Sequence, residues 1–299
     1  MVRTHGWLAP VSRASRHAAG RCRRILTKTQ PSSLRSQQTI EPLFIFKLAL
    51  VPALIGAITL AGRHWGPAVA GWLSGFPIVT GPILLFIALE QGPQFASVTA
   101  AGALAGGLAW LSFAISYAWA ATRTSWLLAL LIGLSSYLVV GMALVLVAPP
   151  FALVAAMIAV AVVLVPLGFP RLTRLIGPSA SSSIELLARM FAGGLLTVSV
   201  TQLSPVLGPK FSGLFAVFPV MGIVLAAFSH RASGNVFTIR LLRSMVAGFY
   251  SFTVFCLTIT LALRAMSIAA GFALAFSFSL AVHFCVLWFM RRTRPPAMD

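Results

Sequence analysis

The sequence predicts an all-α polytopic membrane protein of about nine transmembrane helices, arranged four, one and four, with two inverted repeats. Three observations carry this expectation. Hydrophobic residues make up 59% of the 299 positions, charged residues only 9%, and mean hydropathy is +0.96, whereas charge fills about a quarter of an ordinary soluble domain. Beyond residue 43 or so, most of the chain falls into apolar runs of about 18 residues or more, enough to span a bilayer as helix. Lastly, the segment Gly66-Pro67 to Phe76-Pro77 returns 142 residues later as Gly208-Pro209 to Phe218-Pro219. The same ungapped shift pairs Gly71 with Gly213, Phe86 with Phe228, Gly92 with Gly234 and Phe95 with Phe237. It continues through Ala105-Gly106 with Ala247-Gly248 and Phe113 with Phe255, giving 11 identities over 48 residues. Paired units of this kind are a common way of building membrane transporters.

Residues 1–41 differ from the rest. They are rich in Arg, Ser and Thr, hold eight of the 22 basic residues and have no acid before Glu41. This stretch reads as a mitochondrial-type presequence, as a disordered basic tail, or as translation begun upstream of the true start. Candidate spans come next at about 44–62, 68–89, 96–119, 126–148, 151–168, 186–205, 211–229, 238–263 and 267–289. Turn or charge chemistry separates them at Arg63-His64, Gln91-Gly92-Pro93, Thr122-Arg123-Thr124 and Pro149-Pro150. The later breaks are Arg171 to Ser183, Pro205 to Lys210, His230 to Asn235, and Arg264. Membrane repeat 1 therefore covers residues 44–148, a linking helix 151–168, membrane repeat 2 residues 186–289, and a basic tail 290–299.

The linking helix has no counterpart in the other unit. Four crossings return a chain to its starting side and a fifth moves it across, so the second copy is expected upside down. Loop charge agrees. Arg63 and Arg123 in unit one, with Arg231, Arg240, Arg243, Arg291, Arg292 and Arg294 in unit two, fall on one face if the units are inverted. That face is expected to be cytoplasmic. The basic leader then lies outside, which counts against its presence in the mature protein.

Composition also excludes function classes. The formal charge of +18 places cations at the ends of apolar runs, where they reach headgroups, so nucleic acid is not an expected partner. Cys22, Cys256 and Cys285 lack ligand or redox spacing, and with four acids in the chain no carboxylate pair lies in an apolar run. No metal, cofactor or enzymatic activity is expected.

At Ala70-Gly71-Trp72-Leu73-Ser74-Gly75-Phe76-Pro77, followed by Leu89-Glu90-Gln91-Gly92, the chain resembles the GlpM-type family of small bacterial inner-membrane proteins. In the second half, Ser212-Gly213-Leu214-Phe215-Ala216-Val217-Phe218-Pro219 matches the central motif, and His230-Arg231-Ala232-Ser233-Gly234 the polar turn after it. Lys47 or Arg189 matches the family's early cation. The resemblance covers residues 44–148 and 186–289. It implies a bacterial inner membrane, with the mitochondrial inner membrane as the alternative if the leader is a presequence. It further implies a fused version of an antiparallel pair of single units, and a loose association with exopolysaccharide production.

The candidate binding residues are Lys47, Gly71, Phe76, Pro77, Arg189, Gly213, Phe218 and Pro219. Pro77 and Pro219 should kink or break their spans, and broken helices at equivalent places in inverted halves mark substrate sites. The competing reading of Gly71-x-x-x-Gly75 and Gly102-x-x-x-Gly106 is a packing seam alone. Lys47 and Arg189 stand one turn inside their spans, where snorkelling to the headgroups accounts for them. Facing inward, they would favour an anionic solute. His283 is a proton-relay candidate, with a hydrogen-bonded structural role as the alternative.

Two functions from different classes fit these features. One is a small-solute transporter or channel. The other is a non-transporting accessory protein of the cell envelope, partnered by a second copy or by an envelope complex. A transporter should show a polar cavity at Pro77 and Pro219, and an accessory protein a dry, Gly/Phe-packed centre.

Overall fold

Nine helices account for the regular structure among the described residues, which are 33–171, 183–206 and 218–292 of a computed structural model. They are α1 (Ser33–Trp65), α2 (Pro67–Ser74), α3 (Thr80–Gln91), α4 (Pro93–Ala120), α5 (Trp126–Val147), α6 (Phe151–Leu167), α7 (Ser183–Val206), α8 (Val220–Ala262) and α9 (Ile268–Arg292). The chain divides into two units, Met1–Ile45 and Phe46–Asp299. In the first, the described part is the helical stretch that opens at Ser33. The second holds the remainder of α1 and every later helix.

The boundaries have local causes. Pro67 and Pro93 occupy the first turns of α2 and α4, where proline's missing N–H is no loss. Ala148 takes a left-handed conformation (φ 45°, ψ 56°) to end α5, and Pro149-Pro150 then blocks any continuation. Gly168 closes α6 one residue after Leu167.

The helices differ in three places from the expected spans. The first starts at Ser33 rather than near 44 and runs on through Pro42, so neither loss of hydropathy nor a proline marks where this helix begins. The expected crossing at 68–89 is two short helices, α2 and α3, parted around Pro77. The expected crossing at 211–229 is described only from Phe218 onward, and its helix joins the next at a bend, Gly234, inside α8. Among the described residues, four helices are long and apolar enough to cross a membrane: α4, α5, α8 and α9. The helices α3 and α6 are apolar but shorter. These four point to a membrane protein.

The central pair is α4 and α8. Over their most apolar windows 61% and 67% of residues are buried, against 17% and 22% for α5 and α9. The inner pair therefore makes the core and the outer pair presents apolar surface, as lipid-facing helices do. The linking helix α6 packs on both α4 and α8. Aromatic rings pack along α8 towards α4 and α9. Trp110 stacks on Phe249 at 4.6 Å between centroids, Phe249 on Phe252 at 4.5 Å, and Phe255 meets Phe276 at 4.9 Å, all within the range of favourable ring pairs.

Gly92 (φ 93°, ψ 162°) and Gly234 (φ 80°, ψ 177°) hold a backbone region open essentially to glycine alone. A Cβ at either would touch nothing within 4 Å, so substitution is penalised through backbone strain only. Gly92→Ala and Gly234→Ala are each expected to lower stability by about 1–3 kcal/mol, read as a lower melting temperature in detergent. An unchanged melting temperature in both would show that these bends are not required.

Candidate functional site

The break between α2 and α3 is a tight turn. The Ile78 amide donates to the Phe76 carbonyl at 2.8 Å, and the Gly81 amide to Pro77 at 2.8 Å. The second Phe-Pro element repeats both bonds: Val220 to Phe218 at 2.8 Å and Ile223 to Pro219 at 3.0 Å. Pro219, at φ −80° and ψ 55°, sits in the inverse γ-turn region. Proline with its fixed φ suits that turn, and the turn returns hydrogen bonds to amides that a broken helix would strand.

Helix α2 lies backbone-to-backbone on α8. A Cβ at Gly75 would stand 2.5 Å from the Gly248 Cα, and one at Gly71 would overlap Ser244 Oγ and the Leu241 carbonyl. Small residues permit this approach. Gly71-x-x-x-Gly75 is thus a seam against Ser244 and Gly248.

His283 belongs to this neighbourhood. Its ring stacks on Trp72 at 4.0 Å and faces Phe76 at 4.9 Å, while the Trp72 indole N–H donates to the His283 carbonyl at 3.0 Å. Ser251 donates its one hydroxyl hydrogen to the Gly248 carbonyl at 2.6 Å, so the 3.0 Å contact between Ser251 Oγ and His283 Nδ1 has the imidazole as donor. Nε2 is then a bare acceptor, and it has no hydrogen-bond partner among the described residues. The second element packs differently, with Phe218 edge-on to Tyr137 at 5.4 Å. Each Phe-Pro element therefore leans on the last helix of the other half, Phe76 on α9 and Phe218 on α5.

Arg189 lies elsewhere, and it is buried at 4% exposure rather than reaching for headgroups. Its Nε donates to Glu185 Oε1 at 3.0 Å and its Nη2 to the same oxygen, while Nη1 donates to Ser229 Oγ at 3.2 Å. The guanidinium also stands over the Phe228 ring at 5.9 Å. Partners within reach on two helices make burial tolerable, which snorkelling would otherwise be needed to avoid. A cavity of about 20 Å³ lies beside this group, room for one water-sized species. Its polar wall is Thr59 and Arg63 from α1, Arg189 from α7 and Ser229 from α8. Neither Pro77 nor Pro219 lines it, so this is not the cavity that the sequence led one to expect of a transporter at those two prolines.

The structure therefore joins Gly71, Phe76, Pro77 and His283 in one place and leaves Arg189 in another. Gly213 lies outside the described residues, as does the side chain of Lys47. Sequence patterns alone did not single out Thr59 and Ser229, isolated hydroxyls at the margins of apolar runs. They placed Arg63 in a loop, although it lies four positions after Thr59 on the same helical face. No metal-binding cluster occurs among the described residues. No protein-family model, no curated protein and no solved structure matches the chain.

Proposed function

We propose that the protein is a membrane transporter or channel for a small solute, built from two inverted copies of one four-span unit. The observation that carries this is a buried, paired arginine beside a cavity among apolar helices, because ionisable groups buried in apolar surroundings tend to cluster at functional sites. Several features support the duplication. At the 142-residue shift, α4 (Pro93–Ala120) superposes on the second limb of α8, which runs from Asn235 to Ala262, and Trp126 superposes on Ile268, the start of α9. Gly92 and Gly234 share a rare conformation, and the two Phe-Pro turns share two hydrogen bonds. Nine crossings with the second unit upside down remain part of this proposal. So do the likeness to GlpM-type proteins and the bacterial inner-membrane location that it implies.

In this reading the Phe-Pro turns act as joints and Arg189 supplies the polar site. His283 Nε2, an acceptor beside the first joint, is available to take a proton as that joint moves. Purified protein in proteoliposomes should pass a small solute, and Arg189→Gln should reduce flux at least about tenfold per folded, reconstituted molecule. Cysteines at Gly92 and Gly234 should label from opposite faces of the vesicle. Labelling from one face would remove the inversion, and no flux over a broad solute panel would remove the transporter.

A second reading is favoured by one observation, the close α2–α8 seam with the aromatic stack beside it. A centre packed this densely suits an accessory protein of the envelope that binds another helix. A stable co-purifying membrane partner, with no flux, would decide for it.

A further inference from the structure

The cavity at Arg189 has the makings of a ligand site of defined chemistry. Thr59 is 5% exposed, and its hydroxyl has no hydrogen-bond partner among the described residues. Buried hydroxyls are nearly always bonded, so an orphan beside a cavity calls for something in the cavity to bond it. The other polar groups in the wall are the Arg63 and Arg189 guanidiniums and the Ser229 hydroxyl, while Glu185 is not in the wall. Ser229 accepts from Arg189 Nη1, which leaves its own hydrogen to donate. Every polar group facing the space can therefore donate, and two of them carry positive charge. Ile58, Gly62, Ala70, Leu225, Phe237 and Leu241 complete a largely apolar wall, which strengthens the donors relative to water.

We propose that this cavity is a binding site for one small inorganic anion of halide size, held by the Thr59 and Ser229 hydroxyls and the two guanidiniums. Size and charge both select this class. The space is small, about 20 Å³, so the smallest anions enter with the least rearrangement of the wall, and sulfate serves as the larger comparison. A water can accept from at most two of these groups, whereas an anion can accept from all four at once, and those to the guanidiniums are charge-assisted. Glu185 takes Arg189 Nε and Nη2 from one side and Ser229 takes Nη1, so the anion adds to the pair without displacing it. This site rests on the proposed function only in naming what the pathway would carry. Equilibrium binding can be present or absent whether or not anything moves.

The test uses the full chain in detergent at constant ionic strength, with sodium gluconate replaced stepwise by sodium fluoride, chloride or sulfate. Thermal unfolding followed by tryptophan fluorescence should show a saturable rise in melting temperature with fluoride or chloride, distinct from the gradual, unsaturating rise that sulfate gives by exclusion from the surface. Isothermal titration should show the halide affinity about tenfold weaker in Thr59→Val, and no halide binding in Arg189→Gln. Thr59→Val keeps the shape of the side chain, so it remains informative if Arg189→Gln does not fold. Equal stabilisation by all the salts, or an affinity unchanged in Thr59→Val, would overturn the site and leave a water there. Flux in the absence of halide binding would do the same while sparing the transporter. Saturable halide binding without flux would keep the site and dismiss transport.

Discussion

Replacing Gly71 by valine is expected to cost the protein its folded state. The new Cβ would overlap Ser244 Oγ and the Leu241 carbonyl and lie 2.9 Å from the Met245 amide nitrogen. Two of those three are backbone atoms of α8, which cannot swing aside as a side-chain end would. Overfilling a packed contact typically costs about 1–3 kcal/mol, and a backbone obstacle puts this case at or above the upper end. Gly75→Val should behave alike, since Gly248 blocks it from the same helix. Gly194→Ala is the control. Its Cβ meets only the Pro52 ring at 3.4 Å, an ordinary contact, and helix propensity favours the change by about 0.5–1 kcal/mol. Gel filtration in mild detergent separates the cases: the seam variants should aggregate or express poorly and Gly194→Ala should elute as the parent. A well-behaved Gly71→Val protein would mean that α2 does not rest on α8.

The second large effect is expected at the buried ion pair. Glu185→Gln removes the carboxylate that Arg189 engages through both Nε and Nη2, leaving a guanidinium in apolar surroundings with Ser229 as its principal remaining acceptor. Breaking a buried pair this way costs about 3–5 kcal/mol. The Glu185 side chain is 18% exposed against 5% for Arg189, so water reaches the acid and the lower end of that range applies. Removing both charges together, as Glu185→Leu with Arg189→Leu, should restore much of the loss, because desolvation disappears along with the attraction. Unfolding midpoints for the two single variants and the double variant give the coupling directly. Additive losses would show that the two side chains do not depend on each other.

These two experiments probe different kinds of knowledge. The Gly71-x-x-x-Gly75 pattern was visible along the chain, and so was the chance that it was only a seam. What occupied the other side was not visible: Ser244 and Gly248 stand 173 residues beyond Gly71 and Gly75. The i,i+4 relation of Glu185 and Arg189 was also visible, but its burial was not. A cation near the end of an apolar run is placed equally well in the headgroups or in a pocket, and Ser229 on another helix decides between them. Along its own helix His283 looks solitary. Its company of Trp72, Phe76 and Ser251 comes from α2, the turn after it, and α8.

The sequence alone determined the features that depend on neighbours a few residues away. The apolar runs made the chain all-helical with candidate membrane spans. Proline at residues 67, 93 and 150 fixed helix starts, glycine at 92 and 234 fixed the bends, and Pro77 parted α2 from α3. Only the tertiary structure decided which faces meet. Between helices that are apolar all round, hydropathy gives no preference for one partner over another, so close fit and the few polar groups choose. That choice put α2 against α8, His283 against the first break, and Arg189 among Thr59, Arg63 and Ser229.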